Sequence, residues 1–378
     1  MHGFIRNLLA LAILILATFP SRVAYSFTPV FGNTHVLRSS TLSVEVMDPV
    51  APDRQDRFVR FSPMAWVIQA NVNDVDYFYA PTNPTAPPWN SDPNRYPAGS
   101  PMEFDLGDFD VRPPGFDEIA NGGVEQEFIK IGVGILRKTV SGNYHQSNAY
   151  AFVGAETHVS WETDRATFTQ SLPRESDTGY RYELETKMRV HGNRLLFDYE
   201  LTNNGSKSFQ TAQYLHNFTA IGGEQPSTSS EIEVPWSFTA QGNLSGALTQ
   251  QGNKLVYVNN PRGRKPTIPV DNLGDSPYEF TVRQTNLNEQ YIASAELPDS
   301  IPGAEASPLV ISTWNDNSGI QFSPEQFVLL SLDPGNTIAW SRTYTFGAIP
   351  EPASITLILT AGLFLSSRSR RSMMKRLA

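Results

Sequence analysis

Cysteine is absent from the 378 residues, which removes disulfides, thiolate metal ligands and cysteine nucleophiles together. Stability must then come from packing and hydrogen bonding. The six histidines, His2, His35, His145, His158, His191 and His216, are scattered, without a His-x-His or His-x-x-x-His pair; no zinc signature exists, and no metal or other cofactor is expected. A Gly-x-Ser-x-Gly elbow and a Gly-x-x-x-x-Gly-Lys phosphate loop are missing as well, so the usual hydrolase and nucleotide readings lose their support. Internal repeats of fixed period are not visible, which argues against a propeller.

Acidic residues are missing from both ends, residues 1–26 and 353–378, which instead hold seven Lys and Arg. Setting those seven aside takes the formal charge of −9 to −16 for the middle of the chain. Such a surface repels phosphate backbones, and nucleic acid is a poor partner for it. The hydrophobic fraction of 40% with 11% aromatics can fill a substantial core, unlike that of a disordered chain.

The long apolar runs also sit at the ends. Arg6 precedes the run at 8–19, which is shorter than the roughly 20 residues that span a bilayer, and Ala24-Tyr25-Ser26 places small residues at a cleavage site. Residues 1–26 read as a signal peptide cleaved after Ser26, with an uncleaved anchor as the alternative. At the other end Pro350-Glu351-Pro352 precedes an apolar segment at 353–365 and then Arg368, Arg370, Arg371, Lys375 and Arg376. That order resembles the PEP-CTERM sorting signal of Gram-negative bacteria, which implies processing by an exosortase after the work of signal peptidase. The basic cluster suits retention on the cytoplasmic side, so the 350–378 segment would anchor the chain transiently in the inner membrane; a plain anchor has the same topology. The expected place of the protein is the cell envelope or the extracellular space.

Between the ends the pattern has a period of two. At 180–190, Tyr180, Tyr182, Leu184, Thr186, Met188 and Val190 alternate with Arg181, Glu183, Glu185, Lys187 and Arg189, the signature of a half-buried strand. After His191-Gly192-Asn193, residues 195–201 alternate in the same way and Asn203-Asn204-Gly205 closes them, which predicts a hairpin. Further strands are predicted at 66–72, 128–138, 158–162, 166–172, 209–221, 254–258, 278–284, 309–314, 327–332 and 338–346. No comparable stretch shows a helical apolar repeat outside the ends. The fold class expected is all-β, one large antiparallel β-sandwich over 27–349 flanked by an N-terminal signal helix and a short C-terminal hydrophobic helix.

Prolines at 81, 84, 87, 88, 93, 97 and 101 interrupt any ladder over 80–101 and predict a long loop. It carries Trp89, Asn90 and Tyr96, side chains that suit sugar stacking and hydroxyl pairing; a variable surface insertion is the plainer and preferred reading.

Leu201-Thr202-Asn203-Asn204-Gly205 followed by Tyr214-Leu215-His216-Asn217-Phe218 resembles the galactose mutarotase-like superfamily, where a strand ending in Leu-Thr-Asn-x-Gly precedes a histidine-bearing strand. Leu332-Asp333-Pro334-Gly335-Asn336 with Trp340-Ser341-Arg342-Thr343-Tyr344-Thr345-Phe346 resembles its closing hairpin. Arg60-Phe61 and the Phe128–Gly134 run, with Lys130 inside it, are similar to its uncharacterised bacterial members. The resemblance covers about residues 57–347 and implies the fold called a supersandwich.

In aldose mutarotases such a histidine donates a proton to the ring oxygen while a glutamate takes one from the anomeric hydroxyl, on opposite sides of the sugar. The resemblance makes His216 the acid and Glu325 the base, with Glu296 a second candidate, and puts forward Arg60, Lys130, Asn217, Trp314 and Arg342 as saccharide-binding side chains. Each has a plainer reading: His216 as an interior histidine satisfied by a neighbouring strand, Trp314 and Trp340 as core, Lys130 and Arg342 as strand charges whose inward faces demand partners. Three functions stay open: an envelope protein that recognises carbohydrate or exopolysaccharide on a mutarotase-like fold, an active mutarotase or epimerase, and a non-catalytic structural protein of the extracellular matrix. If the leader is removed as read, N-terminal sequencing of protein recovered from the envelope gives Phe27 as the first residue; a chain that still begins at Met1 would leave the uncleaved anchor.

Overall fold

In the computed structural model the alternation at 180–190 becomes a hairpin. The structure describes residues 34–50, 60–80, 98–105, 124–139, 150–244, 246–270, 273–298, 309–316 and 319–350; the signal peptide, Glu351, Pro352 and the rest of the sorting tail, and Trp89, Asn90 and Tyr96 lie outside the described residues. Strand β11 (Tyr182–His191) pairs antiparallel with β12 (Arg194–Asn203) in the register Val190↔Leu195 to Tyr182↔Asn203. Tyr182, Leu184, Thr186, Met188 and Val190 are buried and Glu183, Lys187 and Arg189 exposed, as one-face burial of a pleated strand requires.

This hairpin lies in a ten-stranded sheet that also holds β9 (Glu156–Trp161), β10 (Arg165–Ser171), β14 (Ser230–Glu233), β15 (Leu248–Gln251), β16 (Lys254–Tyr257), β18 (Glu279–Gln284), β19 (Glu289–Glu296) and β23 (Thr337–Ala348). A seven-stranded sheet holds β1 (Thr34–Arg38), β2 (Leu42–Met47), β3 (Ser62–Val72), β4 (Val75–Asp76), β5 (Ser100–Phe104), β13 (Phe209–Leu215) and β22 (Val328–Leu332). Two three-stranded sheets complete it: β6 (Glu127–Lys130), β7 (Gly134–Lys138) and β8 (Tyr150–Gly154); and β17 (Thr267–Val270), β20 (Leu309–Asn315) and β21 (Phe322–Gln326). All these pairings are antiparallel. One continuous core, with Leu184, Phe197, Tyr344 and Phe346 from the larger sheet and Val44, Val67, Met102 and Leu215 from the smaller, fills the space between them. Among the described residues strands make up 58% and no helix reaches seven residues. It is an antiparallel β-sandwich. Among the described residues no helix is long and apolar enough to cross a membrane.

Three sequence readings change at their boundaries. Residues 128–138 do not form one strand: the chain turns at Ile131-Gly132-Val133, where Gly132 takes φ +83° and the Val133 amide donates to the Lys130 carbonyl at 2.9 Å, and β6 pairs back on β7. The loop expected over 80–101 ends earlier, because Ser100 and Pro101 belong to β5. The strand expected over 209–221 stops at Leu215.

Pro101 accounts for that stop. In the β5–β13 register Leu215 faces Met102, so Pro101 faces His216. The His216 amide donates to the Pro101 carbonyl at 3.0 Å, but proline has no N–H to return. The His216 carbonyl accepts instead from Phe218 N at 3.1 Å, an amide that also donates to the Gly99 carbonyl at 3.0 Å, so the regular ladder ends in a local turn while the chain stays beside the segment ahead of β5.

Gly99, just before β5, takes φ +67° beside a bulge in β3, where the β3–β5 register shifts between Ser62 and Val67 and Ala65 adopts φ +52°. A Cβ on Gly99 would stand 1.9 Å from the Val67 carbonyl oxygen and 2.8 Å from Ile68 Cα. Backbone cannot yield as a flexible side chain does, so Gly99→Ala is expected to cost about 2 kcal/mol or more. Urea denaturation measures this, and a loss under about 0.5 kcal/mol, the range of an ordinary surface change, would contradict the close approach.

Candidate functional site

Alternation along β13 sends its side chains two ways. Gln213 and Leu215 face the ten-stranded sheet, whereas Ala212, Tyr214 and, just past the strand end, His216 face the opposite side, where the sheet of β17, β20 and β21 and a small aromatic cluster cover them. On β5, Glu103 lies opposite Tyr214. On β21, Ser323 and Glu325 alternate toward the same place, since Ser323 Oγ donates to Glu325 Oε1 at 3.0 Å.

These elements bring His216 between two carboxylates. Its Nε2 lies 2.7 Å from Glu103 Oε2 and its Nδ1 lies 2.7 Å from Glu325 Oε1. Lys130 Nζ donates to Glu103 Oε1 at 2.9 Å and to the Phe104 carbonyl at 3.2 Å, and Arg60 Nε donates to Glu103 Oε2 at 3.2 Å. The His216 side chain is 3% exposed, that of Lys130 1% and that of Arg60 16%. Phe61 stands edge-on to the imidazole at 4.9 Å and Phe218 stacks at 5.6 Å, while Tyr214 tilts against it at 4.7 Å.

The turn that delivers Lys130 is tightly specified. Gly132 N donates to Tyr182 Oη at 3.1 Å, and Gln170 Nε2 donates to the Gly132 carbonyl at 3.2 Å, docking the β6–β7 turn on the ten-stranded sheet. A Cβ on Gly132 would meet Ser62 Cβ at 2.7 Å.

A neutral imidazole has one N–H and one lone pair, and a lone pair 2.7 Å from an ionised carboxylate is repulsive. Two short contacts therefore call for an imidazolium donating on both sides. Burial alone would lower the His216 pKa, but attraction to Glu325 and the hydrogen bonds to Glu103 and Glu325 outweigh it, so the pKa lies above the ordinary imidazole value. For Glu103 burial works upward, and Lys130, Arg60 and His216 together hold the carboxyl well below the usual carboxylate range. The Tyr214 hydroxyl is pushed well up by burial and by the two carboxylates, and stays neutral.

Of the residues singled out in the sequence, His216, Glu325, Lys130 and Arg60 come together. Trp314 is half-buried at the margin, its ring 5.9 Å from Phe218 in an edge contact. Asn217 and Arg342 do not join them. Asn217 Oδ1 accepts from Ser100 Oγ and Tyr344 Oη at 2.9 and 2.8 Å, and its Nδ2 donates to the Pro324 carbonyl at 2.7 Å. Arg342 points into the core from β23, giving Nε to Gln213 Oε1, Nη1 to Gln326 Oε1, and Nη2 to the carbonyls of both glutamines, all within 3.0 Å. Glu296 is exposed at the end of β19, accepting from Ser341 Oγ. Glu103 was not foreseen, because β5 is buried on both faces and the prolines just upstream hide it as a strand. Among the described residues no group of three or more His, Asp or Glu side chains is arranged to hold a metal ion.

No protein-family model and no curated protein matches the chain. Solved structures do. The Slr1438 protein from Synechocystis sp. PCC 6803 aligns over 86% of this chain and 99% of its own at 12% identity, with a TM-score of 0.50. A galactose mutarotase-like protein from Lactobacillus casei aligns over 83% and 100% at 10% identity, also at 0.50. One from Clostridium acetobutylicum aligns over 83% and 94%, at 10% identity and 0.50. The fold is that of the galactose mutarotase-like proteins. At such identities the likeness concerns architecture, and the site is judged on its own geometry.

Acid and base were expected on opposite sides of a sugar. In the structure His216 and Glu325 touch each other, so no ring stands between them and each neutralises the other.

The pH dependence of stability follows from the two opposite shifts. Glu103, lowered, contributes stability above the ordinary carboxylate pKa that is lost as pH falls through its folded value; His216, raised, contributes stability below the ordinary imidazole pKa that is lost as pH rises through its folded value. Stability should peak between these limits. Lys130→Met, which leaves Glu103 short of a buried counter-charge, should cost about 3–5 kcal/mol near neutral pH, measured by urea denaturation; a cost below about 1 kcal/mol would mean that the pair is solvated.

Proposed function

We propose that this protein is an exported, envelope-associated protein that binds carbohydrate on a mutarotase-like fold without turning it over. The observation that carries the reading is the saturation of His216: both ring nitrogens are spent on carboxylates at 2.7 Å. Ring opening needs an acid whose proton can reach the sugar's ring oxygen and a separate base for the anomeric hydroxyl. Here the two candidate groups hold each other, so the chemistry that the fold could host is unavailable in this arrangement.

Binding has better support. Half-buried Trp314 lies at the edge of a cluster in which Phe218 and Phe61 are buried, beside the partly exposed Arg60, whose guanidinium lies 4.5 Å above the Phe61 ring. An indole edge beside a hydrogen-bonding cation is a chemistry suited to a sugar's apolar face and its hydroxyls or carboxylates. Polysaccharide is abundant outside the inner membrane, where an exported protein would work, and the strongly acidic middle of the chain makes nucleic acid a poor alternative polymer.

The direct test is anomer exchange. Adding the purified protein to fresh α-glucose or α-galactose should leave the spontaneous rate, followed by polarimetry, unchanged. On a glycan array the protein should bind, Glu325→Gln should bind as well, and Trp314→Ala should weaken binding about 3- to 10-fold, as loss of one aromatic contact implies. Acceleration that disappears in His216→Ala would establish the active mutarotase instead. Absence of both binding and acceleration would leave a structural matrix protein.

A further inference from the structure

The two carboxylates that hold His216 are not equivalent, and the difference decides what the site does when it loses a proton. Glu103 is anchored apart from the histidine: Lys130 Nζ at 2.9 Å and Arg60 Nε at 3.2 Å bind it, one to each oxygen. Among the described residues Glu325 keeps the neutral Ser323 hydroxyl at 3.0 Å and no lysine or arginine pairs with it. Among the same residues the remaining titratable group against the ring is Tyr214, from β13. The groups facing the imidazole are therefore Arg60 ahead of β3, Glu103 on β5, Lys130 on β6, Tyr214 on β13 and Glu325 on β21.

We propose that Glu103 is a positioning residue that fixes His216 as the Nε2–H tautomer, so that deprotonation of the imidazolium releases Glu325 and never Glu103. A neutral ring can donate to one carboxylate only. Keeping Nε2–H preserves a contact to a carboxylate already fixed by two cations, while a bare Nδ1 facing Glu325 costs a contact that only a neutral hydroxyl supports. The freed Glu325 then stands at the edge of a neutral imidazole, its side chain 3% exposed and still accepting from the Ser323 hydroxyl. The site has a closed form, in which imidazolium and Glu325 are locked together, and an open form in which Glu325 is released from the ring; the raised pKa of His216 favours the closed form. What the open form would bind rests on the carbohydrate reading above, whereas the tautomer does not.

Histidine-selective 15N NMR of the whole protein tests this without any ligand. On raising the pH, the His216 ring should pass from two protonated nitrogens to a single form with Nε2 protonated and Nδ1 bare. In Glu325→Gln, whose amide can donate to a bare Nδ1, the Nε2–H form should persist and the midpoint should fall by about one pH unit or more, the size of a lost charge partner. In Glu103→Gln the preference should reverse toward Nδ1–H. An Nδ1–H ring in the wild type, a mixture of the two tautomers, or an imidazolium that persists until the protein unfolds would each overturn the proposal, and the wild-type and Glu325→Gln spectra decide it even if Glu103→Gln does not fold. Glycan binding is scored separately: a protein with the Nε2–H ring and no affinity for any saccharide would sink the functional reading and leave the tautomer standing.

Discussion

A buried imidazole must find a partner for each of its nitrogens, and His216 finds a carboxylate for both. Most of what is distinctive about the outer layer of this sandwich can be traced to that demand. Five charged or chargeable side chains, from the segment ahead of β3 and from β5, β6, β21 and the end of β13, meet behind aromatic rings. Removing an ion from water costs several kcal/mol even after the protein relaxes, and the mutual attraction of a buried cluster offsets that cost only when geometry and hydrogen bonding are nearly complete. The contacts of 2.7–3.2 Å around Glu103 meet that condition.

Backbone events one layer down set those contacts. Pro101 withholds an amide hydrogen opposite His216, the β13 ladder ends at Leu215, and the chain turns so that the imidazole leaves the sheet facing Glu103. Gly132 lets the β6–β7 turn press against Ser62 while its amide and carbonyl bind Tyr182 and Gln170, and Lys130 comes with that turn. A proline and a glycine thus aim two of the charged groups, although neither touches a carboxylate.

Seven strands of the ten-stranded sheet were legible because one of its faces is wet, whereas β14, β15 and β19 were not read. Where Tyr182, Leu184 and Met188 alternate with Glu183 and Lys187, the sequence carries the period of the pleat, and the observed hairpin follows it residue by residue. The site was much less legible for the opposite reason. Strands β5, β6 and β21 are buried on both faces, so Pro101-Met102-Glu103, Phe128-Ile129-Lys130 and Pro324-Glu325-Gln326 show no contrast of inside and outside. Prolines in two of them further disguise strands whose edges tolerate the missing donor. His216 and Glu325 could be named from resemblance, but their direct contact could not, because it depends on registers set by residues more than a hundred positions apart. Glu103 carried no motif at all. Asn217 and Arg342 were named from the same motifs, and the structure gives them to the core: an alternating strand reports that a side chain points inward, not whether it meets a ligand or its own protein.

Arg342 and His216 show two ways for this fold to keep a cation in its interior, with different consequences for chemistry. Arg342 is surrounded by neutral oxygens, two glutamine side chains and two backbone carbonyls that fix its plane between the sheets. Its planar fork of donors makes it a strut between the sheets. His216 is surrounded by charge, and its own charge is conditional. Neutralising it would leave two carboxylates facing one hydrogen-bond donor, a conflict that the unequal anchoring of Glu103 and Glu325 resolves in one direction. A site built from the first kind of contact can only hold a shape; the second kind holds a shape and a proton whose removal changes which carboxylate the ring keeps. That conditional proton, rather than the mutarotase-like architecture around it, sets this region apart from the rest of the core.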